Sequence, residues 1–268
     1  MQPSVAPELC SFSRPHFVII LLSEIAYFGA EDFRRNLASV LHLVFLGFDF
    51  PTLTVYEHCR ILLLNLIRGI ALKRYLDVGL TRSQSAELDR ASSLCEFLES
   101  KGGELLWPVT QAADPLSAGS ETGEHLTELL RRVAAVLADD TKDSALLGNW
   151  TDEALVWATG CPQVVQAVRS CQVYRAVASK FSADHALAFL ESMAPLLASD
   201  VMQDCKLAAE LISCFTVTIG KMEKQDVIKS PQFFWAAATL LHTDCERHFA
   251  LAVKAVCTAL GVVRDEDA

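Results

Sequence analysis

Residues 201–219 read VMQDCKLAAELISCFTVTI. The apolar side chains recur at intervals of four and three, while Gln203, Lys206 and Glu210 fall on other faces. This spacing is typical of an amphipathic α-helix that buries one stripe of its surface. We therefore predict a helix here, with a buried stripe formed by Val201, Cys205, Ala208, Ile212, Phe215 and Ile219.

The same spacing recurs along most of the chain, and no run of alternating β-branched residues indicates a strand. Further buried stripes are predicted at Phe249, Val253, Val256 and Leu260, at Ala186, Leu190, Met193 and Leu197, and at Leu126, Leu129, Leu130, Val133 and Leu137. The predicted fold class is all-α, with about ten helices in antiparallel pairs. These pairs are 31–46 with 52–73, 83–100 with 122–139, 151–160 with 163–180, 184–198 with 201–221, and 231–242 with 245–260.

Sequential helix pairs of roughly 30 to 47 residues favour an α-solenoid of the HEAT or armadillo kind, and a compact irregular helical domain is the alternative. We predict a single domain over residues 1–268, with an irregular loop at about 102–123 and flexible ends at 1–14 and 262–268. Thr151 is the predicted N-cap of its helix. The apolar run 17–28 contains Glu24 and is too short to cross a bilayer, so it is predicted to be a core helix.

Composition excludes several functional classes. The 268 residues are 51% apolar and carry 23 basic against 33 acidic side chains, a formal charge of −10. A chain of this kind is not disordered over most of its length, and its acidic field disfavours nucleic-acid binding. The nine cysteines form no C-x-x-C pair and are interpreted as reduced core thiols of a cytosolic protein. The sequence also shows no secretory signal pattern, and we predict no membrane insertion.

Catalytic motifs are absent from the sequence. There is no glycine-rich phosphate loop, no nucleophile elbow and no zinc-protease motif. The tightest group of possible metal ligands is His242, Asp244, Cys245 and His248, but Asp244 serves equally well as a helix N-cap. His58 and Cys59 are adjacent and point in different directions on a helix, which favours a hydrogen-bonded imidazole and a separate buried thiol. We therefore predict no catalytic residue, metal or cofactor, and no enzyme activity.

Three runs of sequence resemble a known family. These are residues 41–67, the segment GGELLWP at 102–108, and residues 154–177. Their order is that of the C-terminal morphogenesis region of the Furry family of cell morphogenesis proteins. Val164 and Val165 depart from it, because family members carry a basic pair there. The likeness lies in Leu46, Gly47, Asp49, His58, Cys59, Leu63, Leu64, Asn65, Leu106, Trp107, Pro108, Trp157, Ala158, Cys161, Arg169, Ser170, Gln172, Tyr174 and Arg175.

The resemblance implies a non-enzymatic scaffold that supports signalling by an NDR-family kinase with a Mob co-activator. The family acts in cell morphogenesis and polarised growth through actin and microtubule organisation, which implies a cytoplasmic location, at the cell cortex or on the cytoskeleton. Its motif residues are expected to be structural. An unrelated HEAT-type adaptor in transport or complex assembly is the alternative, and a helical enzyme with a site assembled from distant residues is a third. If the chain is a piece of a longer protein, neighbouring repeats should cover some apolar end surface.

Two interpretations remain for Arg169 and Arg175, which lie on roughly one side of their predicted helix. In the first, Arg169 reaches back to Asp152, Glu153 or the carbonyls at the end of the preceding helix and locks the pair. In the second, the two arginines form an exposed basic strip for an acidic partner.

Overall fold

A computed structural model describes residues 14–50, 52–75, 82–104, 106, 121–138, 144–179, 181–199 and 201–264. Every regular element in these ranges is helical, which confirms the all-α helical-repeat prediction. The α-helices are α1 Arg14–Gly29, α2 Leu37–Gly47, α3 Leu53–Leu66, α4 Arg82–Ser100, α5 Glu121–Leu137, α6 Ser144–Gly160, α7 Val164–Val177, α8 Ala183–Leu197, α9 Met202–Lys221, α10 Lys224–Lys229, α11 Pro231–Thr239 and α12 Glu246–Arg264.

The helices fall into two compact units. The first contains α1, α3 and α4, and the second contains nearly all of α2 together with α5 to α12. Each unit has its own buried apolar side chains. The single-domain organisation stays a prediction.

In the first unit, α3 is the best-covered helix. It packs on α1, and it continues through a π-turn at Ile67–Ala71 and a 3₁₀ turn at Leu72–Tyr75. Leu62, Leu63 and Leu66 are fully buried, and the Asn65 side-chain amide donates to the Ser23 carbonyl oxygen at 3.0 Å. Its apolar side chains on several faces are buried, from Val55 to Ala71.

The prediction that residues 17–28 form a core helix is wrong. Helix α1 buries Ile19, Ser23 and Ala26, because α3 packs against this face alone. Its other apolar side chains are exposed: Phe17, Val18, Leu21, Ile25, Tyr27 and Phe28. Among the residues that the structure describes, no helix is long and apolar enough to span a membrane.

In the second unit, α6 pairs with α7, α8 with α9, and α11 with α12. Helices α5, α7, α9 and α12 are neighbours in that order, so α9 is covered by α7 on one side and α12 on the other. The predicted stripe of α9 is buried at Ala208, Ile212, Phe215 and Ile219. Val201 precedes the helix and is exposed.

The stripe predicted to be buried on α12 is wrong. Phe249 is 47% exposed, Val253 40% and Leu260 51%. Helix α12 instead buries Leu251, Ala252, Ala255 and Ala259. The reason is that α9 and α11 both pack on this second face, where the small alanine side chains allow a close approach.

Several boundaries also differ from the predictions. Thr151 is not an N-cap, because α6 begins at Ser144 and the Thr151 hydroxyl donates to the Leu147 carbonyl oxygen one turn earlier, at 2.7 Å. The fully buried Trp150 lies inside this helix, before its predicted start at residue 151. Helix α10 was not predicted. Residues predicted to lie in flexible or irregular segments are helical at Arg14, at 121–123 and at 262–264, whereas most of the predicted loop lies outside the described residues.

Candidate interaction site

The motif residues of the first unit include Gly47 and Cys59, which lie against each other. A Cβ atom on Gly47 would collide with the Cys59 sulfur, so the close approach requires glycine here. Cys59 is fully buried, and burial raises the pKa of its thiol to about 12. His58 points elsewhere and its Nδ1 lies 3.0 Å from the Ser23 hydroxyl. Asp49 is half-buried in the turn after α2.

In the second unit, Ser170 of α7 contacts a histidine that sequence reasoning missed. The Ser170 hydroxyl donates to the Gln166 carbonyl oxygen at 2.8 Å, and His42 Nε2 lies 3.0 Å from the same hydroxyl. The serine oxygen therefore accepts a hydrogen bond from Nε2–H. Burial lowers the pKa of His42 to about 4, although the nearby Glu153 carboxylate acts in the opposite direction. The imidazole is therefore neutral at physiological pH.

Glu153 holds α2 against α6. Its carboxylate accepts one hydrogen bond from the Ser39 hydroxyl and another from the Trp157 indole N–H, both at 2.8 Å. The half-buried Trp157 ring lies 5.8 Å from the His42 ring, measured between centroids. The polar edge of this motif tryptophan therefore faces a fixed partner on its own helix.

Tyr174 joins three consecutive helices through one oxygen atom. Its side chain is fully buried, and its hydroxyl lies 3.1 Å from His185 Nδ1 on α8 and 3.1 Å from the Thr218 hydroxyl on α9. The Phe189 ring packs on its ring at 4.9 Å between centroids. Burial raises the pKa of Tyr174, so the phenol keeps its proton and can donate to one of the two partners.

Arg175 and Glu210 form a buried ion pair between α7 and α9. The Arg175 Nη1 atom lies 2.5 Å from Glu210 Oε2, and the two side chains are 25% and 3% exposed. Burial alone would lower the pKa of Arg175, but the adjacent Glu210 carboxylate acts in the opposite direction and the net pKa is raised. The guanidinium therefore stays charged. Arg175 is thus committed to Glu210 and is not part of a free basic strip.

The remaining motif residues have partners close by in sequence or cannot be placed. Arg169 Nη1 donates to Gln172 Oε1 at 2.7 Å on the same helix. The Cys161 thiol donates to Gln166 Oε1 at 3.4 Å. Trp107 and Pro108 lie outside the described residues. No signal in the sequence pointed to His42 or Glu210 as the partners of the motif, because both lie far along the chain from it.

The group of possible metal ligands near α12 is divided among other contacts. His248 is buried, and its Nε2 lies 2.9 Å from the Cys205 carbonyl oxygen. Asp244 and His242 are exposed. Within the described ranges, no three His, Cys, Asp or Glu side chains are arranged to hold a metal ion.

A groove in the second unit lies between α8 and the end of α11. Its volume is about 620 Å³, and Cys205 and His248 lie among its lining residues. Asp244 lies in its lining without a hydrogen-bond or ion-pair partner in the described part of the chain. The apolar lining comes from Leu190, Met193, Ala194, Leu197, Ala236 and Leu240, and we call this feature the α8–α11 groove.

Comparison with known proteins places the chain in a family. The model described as the cell morphogenesis central region matches residues 1–203, more than half of the chain. The chain belongs to this family. The predicted Furry-family membership is confirmed, and the matching region is the central one rather than the C-terminal one.

Two curated yeast proteins are similar to this family member. The cell polarity protein mor2 of Schizosaccharomyces pombe is 24% identical over 220 residues, which cover 82% of this chain and 9% of mor2. The cell morphogenesis protein PAG1 of Saccharomyces cerevisiae is 18% identical over 238 residues, which cover 89% of this chain and 9% of PAG1. The family member therefore spans about a tenth of the length of these relatives.

Proposed function

We propose that this chain is a non-enzymatic scaffold module that acts in cell morphogenesis and polarised growth by binding other proteins. The observation that carries the proposal is the use of the polar motif side chains inside the fold. His42 with Ser170, Tyr174 with Thr218, and Arg175 with Glu210 each join different helices. These groups stabilise the packing of a helical framework whose outer surface is left for partners.

By family resemblance, the partners are an NDR-family kinase and its Mob co-activator, in the cytoplasm at the cortex or on the cytoskeleton. We propose the α8–α11 groove as the place where one of them docks. Its walls are apolar, and the carboxylate of Asp244 has no partner in the described part of the chain. This chemistry fits a short segment with aliphatic side chains and a basic residue.

A binding experiment tests this proposal. The purified chain is immobilised and presented with an NDR-family kinase, with Mob protein and with the two together. We expect Ala194→Glu, which places a charge in the wall of the groove, to abolish capture. Ala135→Glu makes the same change at an exposed site on α5 and should leave capture unchanged.

Two results would overturn the proposal. If neither the kinase nor Mob binds the wild-type chain, the partner assignment fails. If Ala194→Glu and Ala135→Glu both capture the partners as the wild type does, the partners bind outside the groove.

A further inference from the structure

Helix α12 carries a second apolar stripe that its own unit does not cover. Phe249, Val253, Leu260 and Val263 are all exposed, and Val256 between them is half-buried. The stripe runs along one face for about 21 Å, given the rise of an α-helix. Monomeric proteins rarely leave a continuous apolar face of this kind in water. The outer stripe of α12, defined by these five residues, therefore indicates a packing surface.

One edge of the outer stripe carries charges of opposite sign. Glu246 opens the helix and Arg264 closes it, and their separation of 18 residues is about five full turns, so both lie on the same edge. Both are exposed, and neither has an ion-pair partner in the described part of the chain. Cys257 lies on this edge between them and is exposed.

We propose that the outer stripe of α12 is the contact surface for a second copy of this chain, with the two α12 helices antiparallel around a two-fold axis. In this arrangement Val256 packs near its own copy, Phe249 packs against Val263, and Val253 packs against Leu260. The spacing of the stripe is nearly symmetric about Val256, so it matches itself when reversed. A two-fold contact requires such self-complementarity.

Charge complementarity favours a second copy as the occupant. A two-fold axis between antiparallel helices keeps each edge of the stripe on the same side of the interface. Glu246 of one copy is therefore brought towards Arg264 of the other, and the same pair forms again at the opposite end. The arrangement gives each of these two charges a partner of opposite sign.

The oligomeric state in solution gives the first test. Light scattering coupled to size-exclusion chromatography should show a concentration-dependent dimer for the wild type. Val253→Glu and Leu260→Glu should each raise the dimer dissociation constant by about a hundredfold or more, because they place unpaired charge in an apolar contact. Val165→Glu, the same change at an exposed valine of α7, should leave the dimer intact. Circular dichroism confirms that each variant is folded.

A charge exchange tests the direction of the pairing. Glu246→Arg alone and Arg264→Glu alone should weaken the dimer, because each brings like charges together. The double variant should restore it, since the opposite signs then face each other again. A parallel contact would not show this rescue.

Cross-linking gives a third and independent measurement. Cys257 is one residue from the centre of the contact, so a short bismaleimide should link the two copies, and Cys257→Ser should remove the covalent dimer. A wild type that is monomeric at every concentration overturns the proposal and favours a segment of a longer protein as the occupant. A dimer that survives Val253→Glu but is lost with Leu21→Glu would place the contact on α1 and would also overturn it.

Discussion

Helices α9 and α12 carry stripes of the same spacing and meet different surroundings. On α9 the side chains at the predicted positions are buried from Ala208 to Ile219, because α7 and α12 lie on its two sides. On α12 the predicted stripe is exposed, and the face beside it is buried against α9 and α11. The spacing of apolar residues thus predicts that a helix has an apolar face, but it does not tell which element covers that face.

The largest difference between the two helices should appear in their phenylalanines. Phe215 of α9 is fully buried and its ring lies 6.1 Å from that of Phe233. Phe215→Ala should lower the free energy of unfolding by about 4 to 5 kcal/mol, because it removes buried apolar surface and leaves a cavity. Chemical denaturation followed by circular dichroism measures this. A loss below about 1 kcal/mol would mean that neighbouring helices do not enclose this face of α9.

Buried and exposed charged residues should also differ in their effect on the free energy of unfolding. Arg175→Met leaves the buried Glu210 carboxylate of α9 without its cation, and we expect a loss of about 3 to 4 kcal/mol. The double variant with Glu210→Met should recover most of this loss, because no unpaired charge then remains. Lys254→Met at an exposed site of α12, outside the outer stripe, serves as the control and should change the stability of the chain by less than about 0.5 kcal/mol. A small effect of Arg175→Met in the same denaturation experiment would show that water reaches Glu210.

A buried and an exposed histidine should differ in how they affect stability at low pH. The pKa of His42 is about 4 in the folded protein, below the ordinary value of 6.5, so the unfolded chain binds a proton more readily. Stability should therefore be unaffected by this group above pH 6.5 and fall as the pH drops towards 4, by roughly 3 kcal/mol in total. The measurement is the free energy of unfolding across this range, with His42→Gln as reference. The exposed His242 replaced by glutamine should follow the wild-type curve.

The smallest effect is expected on the exposed stripe. Phe249→Ala should change the stability of the isolated subunit by less than about 1 kcal/mol, because the ring is already 47% exposed. Denaturation at a concentration low enough to give monomer checks this. A loss as large as that of Phe215→Ala would contradict the exposure of this side chain.

The sequence predicted most of the helices because their apolar periodicity is local. Helices α4, α7, α8, α9 and α11 begin within a residue of the predicted positions. The start of α6 was missed because Thr151 looks like a cap, and only the burial of Trp150 against Phe45 shows that the helix continues in the N-terminal direction. Helix α10 is a single short element without a stripe of its own.

The partners of the motif residues could not be predicted in the same way. His42 meets Ser170 across 128 positions of the chain, and Arg175 meets Glu210 across 35. Such pairs depend on which helices become neighbours, and periodicity carries no information on that. The motif names individual residues, but the contacts of those residues follow from the packing of the helices.

The close contact between Gly47 and Cys59 has an evolutionary consequence. A methyl group on residue 47 would collide with the sulfur of Cys59. The Cβ of Cys59, by contrast, lies 3.5 Å from a Cβ built at residue 47, which is an ordinary van der Waals distance. Substitution of Gly47 by alanine should therefore be tolerated when residue 59 is no longer cysteine. Aligned descendants of this lineage should show the two sites changing as a coupled pair.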